Sequence, residues 1–561
     1  MNLTRREFLQ RTGMAGFLAA SAGALIACGG GAAPVSSASG GGAATGSGTA
    51  AGAATSTAAA TPVTGGTLNL MIPSTVASIN PVHEADWNSD EAIFNLFDAM
   101  LTYDNNNKAR GLLATSWDAS PDATTFTFHL RPGVKFTDGT PADADALVKN
   151  MHWIMDPTNK SPEAAQRFTQ LDTATAPDPG TFVLKMKVPQ IPDSFFSGFL
   201  LGPYWSSPTA FADAKAFDAH PVGSGPFMFS EYVADNHLSL VRNDGFWGGK
   251  PYLDGLKVLT VPDTSTQRDN LLAGAADFAF GVNPADVKTL QAKGVKIIAG
   301  SHPGLQMISL NLDSPLVADL SVRKAMAYAI DKQAIIDKVL YGYADISTTL
   351  VIPSSPGFDK SIQGYGYDPA KAKQLLTAAG YTAGSDGIMV KDGKPLQLTL
   401  ITQNQPTWLL ICQILQQELK QVGIGVTIQQ TDWATFLSNM RAGKYDIAYW
   451  SLGGTSFGST GYTDNLLSTQ YWNVSQITKN PAMAALSKQI DGLVNSAQSE
   501  IDQTKRHKIM SQFQQLVVDQ LPAIPLWHTQ NINALQPWVH GLEAPSQYAI
   551  CRAEKAWISA H

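Results

Sequence analysis

Cysteine is scarce in this chain, with only Cys28, Cys412 and Cys551 in 561 residues. So few thiols at such spacings imply no disulfide framework. Neither C-x-x-C nor H-E-x-x-H occurs, and the His residues are scattered. The spacing therefore supports no metal site, structural or catalytic, and no cofactor is expected. Blocks of one charge are missing too. The net charge is −7 with the charged residues dispersed, and without a basic stripe nucleic acid is not an expected partner. The apolar run from Gly13 to Ala27 is shorter than the about 20 residues a transmembrane helix needs.

What the chain does have begins at its first residues. A charged start, a short apolar core and small residues before a break form an export signal, not a structural helix. Arg5-Arg6 followed by Phe8-Leu9 resembles the twin-arginine export signal, with Gln10 where a basic residue is often found. Leu25-Ile26-Ala27-Cys28 resembles the lipobox of bacterial lipoproteins, which implies that Cys28 is lipidated and becomes the first residue. Residues 1–28 are thus read as the signal. Residues 29–64 are almost wholly Gly, Ala, Ser and Thr without a period, too poor in apolar side chains to order, and predict a disordered tether. A Gly-rich coil of that length spans roughly 30–36 Å, so the body behind it would sit just off a membrane surface.

Residues 65–561 have ordinary globular composition, enough chain for two to four units at roughly 100–200 residues each. The clearest architecture runs from Leu396 to Trp450. Leu396 to Ile401 alternates and then runs apolar, as a mostly buried strand does. Pro406 opens a helix carrying Trp408, Ile411, Leu415, Leu419 and Val422 on one stripe, closed by Gly423 and Gly425. Val426-Thr427-Ile428 reads as a strand, Trp433 to Arg441 as a helix ended by Gly443, and Tyr445 to Trp450 as a third strand. That alternation is a parallel α/β unit, and open parallel sheets bind ligands beyond the carboxyl ends of their strands. The ends here present Gln403, Asn404, Asp432, Trp433, Trp450, Ser451 and Gly453. From the first part of the chain, Pro81 to Asn88 with His83 and Trp87 is expected to face them. Amides, a carboxylate and indoles suit a small polar organic ligand. For Trp433 and Trp450 a second reading stays open, in which they cap the core beneath the loop.

A competing motif lies in the same stretch. Gly454-Thr455-Ser456-Phe457-Gly458 spells G-x-S-x-G, the nucleophile elbow of a surface-anchored serine hydrolase using Ser456. An elbow needs strand, sharp turn and then helix at the Ser. Here Leu452 to Ser456 intervene and Gly458-Ser459-Thr460-Gly461 follows, poor helix material at about 1 kcal/mol per Gly. His507 or His528 follows in triad order, but no acid stands out before them, and in a chain with 48 Gly such a motif arises by chance.

Several blocks carry a family resemblance. They are Leu112 to Trp117 with Thr125 to Pro141, Pro221 to Phe227, Arg242 to Tyr252, Val322 to Asp331, Asp368 to Leu376, and Tyr445-Asp446-Ile447. In this order they resemble the family 5 extracellular solute-binding proteins, the peptide- and nickel-binding receptors of ABC importers, over almost the whole mature chain. Read physically, most are scaffold. Arg131 to Phe136 ends one strand, turns at Pro132-Gly133 and starts another, Gly223-Ser224-Gly225-Pro226 is a tight turn near the cleft, and Asp368-Pro369 with Gly380 punctuates a helix.

The resemblance implies an α/β protein of the two-lobed periplasmic-binding type (class II, cluster C-like), with an extra subdomain in the first lobe and a hinge. Its divisions are expected at 65–305 for lobe I, with the subdomain at about 82–219, at 306–525 for lobe II, and at 526–561 for the return to lobe I. Crossings are expected at His302 to Ser309 and Leu521 to Asn531, with Trp527 among the site residues and His528 a hinge or rim residue. The implied function is a monomeric receptor, lipid-anchored on the outer face of the cell membrane (periplasmic if an outer membrane exists), delivering its solute to ABC permease subunits. One departure bears on the ligand. Peptide-binding members place an Asp after this strand to pair with the peptide's ammonium, and that place falls on Thr455 or its neighbours, with no carboxylate from Ser451 through Thr463. A neutral Thr cannot balance a buried ammonium. A glycoside, oligosaccharide or capped peptide then competes with a free-amine peptide.

Overall fold

The computed structural model describes residues 61–76, 78–83, 87–104, 108–161, 168–200, 202–353, 355, 357–452, 466–468, 480–544 and 551–560, with 87, 88 and 301–303 described by backbone alone. Arg5, Arg6, Cys28 and nearly all of the expected tether lie outside the described residues. So do Gly453, Thr455 and Ser456.

An 11-stranded mixed sheet organises the chain from Pro62 onward. Its strands are β1 (Thr67–Ile72), β2 (Phe227–Val233), β3 (His237–Arg242), β4 (Gly255–Thr260), β5 (Phe278–Ala279), β6 (Lys296–Leu310), β7 (Ala344–Ile346), β8 (Gln397–Gln403), β9 (Gly425–Thr431), β10 (Ile447–Leu452) and β11 (Ala523–Leu535). The order is β9-β8-β10-β6-β11-β5-β1-β4-β3-β2, with β7 beside β11. In one half β1 lies parallel between β4 and β5. In the other β8 lies parallel between β9 and β10. The antiparallel pair β6 and β11 links them. Lys296–Ser301 pairs with Gln530–Leu535, Leu305–Ser309 pairs with Ala523–His528, and the ladder is irregular between them. Two long strands thus carry the chain from one half to the other, through 302–304 and around Thr529.

The second half forms for the reasons its sequence suggests. Leu398 is buried between less buried neighbours in β8, and Leu400, Ile401 and Thr402 form a continuous buried run after it. The helix Pro406–Gln421 has Pro at its first position and buries Ile411, Cys412, Ile414, Leu415, Glu418 and Leu419. The helix Trp433–Ala442 is capped by Asp432, whose side chain accepts from the Thr435 N–H, and ends at Gly443 in the left-handed region at φ 66°, where glycine is favoured. Asp446 explains the Tyr445-Asp446-Ile447 block: its carboxylate accepts from the Thr399 N–H (2.7 Å) and the Ser314 hydroxyl (2.6 Å), locking β8, β10 and the segment after β6 together.

In the first half, a four-stranded antiparallel sheet (114–119, 125–130, 181–186, 171–178) is inserted between β1 and β2. Phe126, Phe128, Phe182 and Leu184 are buried beneath it. After Pro132-Gly133 the turn is present, with Gly133 at φ 74°. No full strand follows, because Lys135 makes only an isolated bridge to Pro141. The Gly223-Ser224-Gly225 turn is pressed against 95–98, and a Cβ at Gly223 or Gly225 would stand 2.2 or 2.5 Å from the Leu96 or Asn95 carbonyl oxygen. Only glycine permits that approach. The turn's Ser224 hydroxyl and the Trp247 indole N–H both donate to Asp98, at 2.8 and 2.9 Å.

Asp98 is fully buried and ion-paired to Arg552, itself 2 % exposed, which also donates to the carbonyls of Phe94 (2.8 Å) and Phe97 (3.2 Å) and to Glu554 (3.2 Å). The end of the chain is thereby locked into the core of its beginning. Cys412 and Cys551 are both free and buried. Among the described residues no helix is long and apolar enough to cross a membrane.

Candidate ligand-binding site

Both halves of the sheet end their parallel strands at the crossing. In the second half Leu452 lies opposite Leu305, where β6 enters, and β10 runs antiparallel to β6. The carboxyl end of β10 therefore meets the crossing, and so do those of β8 and β9, which run parallel to it. In the first half Phe278 lies opposite Leu535 and Ala279 opposite Ala534. Strand β5 therefore runs toward the crossing, as do β1 and β4. Beyond β5 the chain stays on that seam, with the Val282 N–H donating to the Ile532 carbonyl at 2.8 Å. Ligands of parallel α/β sheets sit beyond such strand ends. Here two sets face one seam.

The ladder also fixes which side chains share a face. Directly opposed residues of antiparallel strands point to the same side. Gln306 lies opposite Ser451 on β10 and opposite Trp527 on β11. Ser451, Gln306 and Trp527 thus form a row across three strands at the crossing. Tyr449, opposite Ile308, lies on the same face, its ring 6.5 Å from Trp527 and met edge-on by Trp408 at 5.5 Å. Gln306 is 7 % exposed and Trp527 is fully buried, yet Gln306 Oε1 and Trp527 Nε1 have no hydrogen-bond partner among the described residues. Buried polar groups are normally paired.

Trp450, one residue from Ser451, must point to the opposite face. It is 3 % exposed, its indole donates to the Ser309 hydroxyl at 2.7 Å, and its ring packs 6.1 Å from buried Phe436. The structure therefore places Trp450 in the core under the helix Trp433–Ala442, the second of the two readings open for it. Trp433 lies outside, 45 % exposed and stacked on Phe436. The Asp432 carboxylate caps that helix and is held below the usual range by the Thr435 backbone and hydroxyl donors. On the neighbouring strand ends Gln403 is half-buried and Asn404 exposed, the Asn404 N–H donating to the Thr431 carbonyl at 2.8 Å. His83 is exposed on a turn, and Trp87 opens the helix Trp87–Ile93.

His528 is on the crossing strand itself, 1 % exposed, with Nδ1 at 3.2 Å from the Gly304 carbonyl of the other crossing. It joins the two crossings. Nearby, buried Lys332 donates to the carbonyls of Pro525 (2.7 Å) and Ser347 (3.3 Å), and burial pushes its ammonium down to about 8. Gln306 escaped notice in the sequence because it stands in a mostly apolar run, Leu305 to Leu310, where the only signal is a polar side chain beside Leu305, Met307 and Ile308. An open depression at Asn311, Asp313, Thr399 and Asp446 lies at the amino ends of β8 and β10, away from the seam. The Asp446 carboxylate there is already bound within the scaffold.

Residues 108–474 match the family described as bacterial extracellular solute-binding proteins, family 5, middle region. Among curated proteins, the chain is 28% identical over 468 residues to heme-binding protein A of Haemophilus influenzae, covering 78% of this chain and 82% of that one. It is 27% identical over 492 residues to a dipeptide-binding protein of Pseudomonas aeruginosa, covering 81% and 88%. Among solved structures, NikA from Brucella suis in complex with Fe(III)-EDTA superposes with a TM-score of 0.78 at 25% identity, over 88% of this chain and all of that one. The oligopeptide-binding protein AppA of Bacillus subtilis, in complex with a nonapeptide, has the same fold, with a TM-score of 0.70 at 24% identity over 89% of this chain and 100% of that one.

Proposed function

Because the chain belongs to the bacterial extracellular solute-binding proteins of family 5, we propose that it is the extracytoplasmic receptor of an ABC importer, capturing a small polar organic solute between two lobes and passing it to the permease. The observation that carries this reading is the convergence of both sets of parallel strand ends on one seam spanned by β6 and β11. Closure about two crossings is the hinge motion of such receptors. The relatives bear the names of heme-, dipeptide- and glutathione-binding proteins, so peptide-like solutes come first and sugars second. We place the body at a membrane surface through lipid on Cys28 and the Gly/Ala/Ser/Thr tether.

Native mass spectrometry of the purified protein tests the reading, followed by titration with the solute it carries. A co-purified small organic molecule that rebinds with micromolar or better affinity is the expected result. A chain that carries none and binds none of a panel of peptides and oligosaccharides refutes it. Hydrolysis of p-nitrophenyl esters abolished by Ser456→Ala would replace the receptor with the hydrolase. Intact-mass analysis showing an unmodified Cys28 would remove the anchor alone.

A further inference from the structure

We infer that the row Ser451, Gln306 and Trp527 is a subsite for an uncharged carboxamide or N-acyl group of the solute; this deepens the receptor reading and rests on it. The row lies at the crossing, where both sets of strand ends meet. It contains no ionisable side chain. Gln306 Oε1 is an acceptor that needs an N–H or O–H, and Trp527 Nε1 is a donor that needs an oxygen. Both are more than nine-tenths buried and lack a partner among the described residues, an unfavourable state for a polar group.

One ligand group satisfies both. The two side chains rise from opposed positions roughly 4.5–5.5 Å apart at Cα. An amide carries its own C=O and N–H within one rigid plane, and the Ser451 hydroxyl can serve as either donor or acceptor. A cationic ammonium would meet Gln306 Oε1 but would also confront the Trp527 N–H. A carboxylate would suit the indole and be repelled by the carbonyl oxygen. The neutral amide is the chemistry that fits the pair. The Tyr449 and Trp527 rings on the same face, tilted 50° to each other, with Trp408 edge-on to Tyr449, supply an aromatic surround for it.

The test compares three probes by calorimetry: N-acetyl-alanyl-alanine amide, alanyl-alanine with free ends, and cellobiose. The variants are Trp527→Phe, which removes the indole N–H together with part of the ring volume, and Gln306→Leu. The blocked amide should bind at least tenfold tighter than the free dipeptide, and each variant should weaken it tenfold or more. In the absence of probe Gln306→Leu should melt no lower than the parent, because it removes an unpaired buried polar group, whereas Trp527→Phe also leaves a cavity at a fully buried position and is read by affinity alone. Preferential binding of the free dipeptide or of cellobiose, or no binding of the blocked amide, overturns the amide assignment. If the co-purified solute binds parent and both variants equally, the row is not a subsite although the receptor reading stands. Lower melting of unliganded Gln306→Leu with unchanged affinity would make the row structural.

Discussion

Arg552 offers the sharpest test of how this chain is held together. Its guanidinium is buried against Asp98, donates to Phe94, Phe97 and Glu554, and lies within 5.5 Å of the Phe94 ring centroid. Replacing it by Met keeps most of the volume and removes all four polar contacts. Asp98 then stays buried as a carboxylate with only the Ser224 and Trp247 donors. Breaking a buried pair from one side costs about 3–5 kcal/mol. For a unit of roughly 500 residues, at about 2.1 cal/mol/K of unfolding entropy per residue, that is a melting-temperature loss of about 3–5 °C. Arg552→Lys should recover part of this, since an ammonium replaces the charge but not the planar fork. The orphaned charge is the cause in this reasoning, so adding Asp98→Asn to Arg552→Met should raise the melting temperature above that of Arg552→Met alone. Scanning calorimetry decides. A loss below 1 °C for Arg552→Met, or a further fall in the double variant, would refute the argument.

Other consequences are as direct. Glu418 is buried on the helix Pro406–Gln421, and desolvation pushes its carboxyl up to about 8 from an ordinary 4.5. The folded state therefore keeps a proton that the unfolded chain releases, and the stability this gives is full below about 4.5 and lost as pH rises through about 8. Glu418→Gln should flatten the melting temperature across that window and raise it at pH 8; an unchanged pH profile would contradict the burial. Cys412 and Cys551 have thiols pushed up to about 12 by burial. Iodoacetamide at pH 8 should label neither until the protein is unfolded, and rapid labelling of the folded chain would count against the packing around both. Arg506, on Gln503–Gln520, reaches Asp193 on Pro192–Ser197 at 3.1 Å, joining the second half to the first. Asp193 is 31 % exposed at its side chain, so Asp193→Asn should weaken that contact by about 1 kcal/mol, roughly fivefold in the closed-to-open ratio. Small-angle scattering should show a larger mean radius for the unliganded variant, and an unchanged radius would mean that the pair does not hold the halves together.

How much of this was legible in the sequence depended on whether the signal was local. The β8-to-β10 unit could be read because its strands are short apolar or alternating runs, its first helix carries one apolar stripe, and Pro406, Asp432 and Gly443 mark the ends within a few residues. The glycines of the Gly223-Ser224-Gly225 turn showed that something tight was there. They could not show what pressed on it, since Asn95 to Asp98 lie far away in sequence and Arg552 further still. The same limit governs the site. Parallel strand ends can be placed from sequence, so the candidates Gln403, Asn404, Trp450 and Ser451 could be named there. Which of two adjacent residues faces the seam depends on the register between β10, β6 and β11, and that register is set by contacts across about 145 and 220 residues, as in Gln306 against Ser451 and against Trp527. An aromatic such as Trp450 draws attention by its chemistry, but the alternation of the strand turns it into the core and leaves the quieter Ser451 beside Gln306. The composition of a strand end names the candidates, and only the ladder chooses among them.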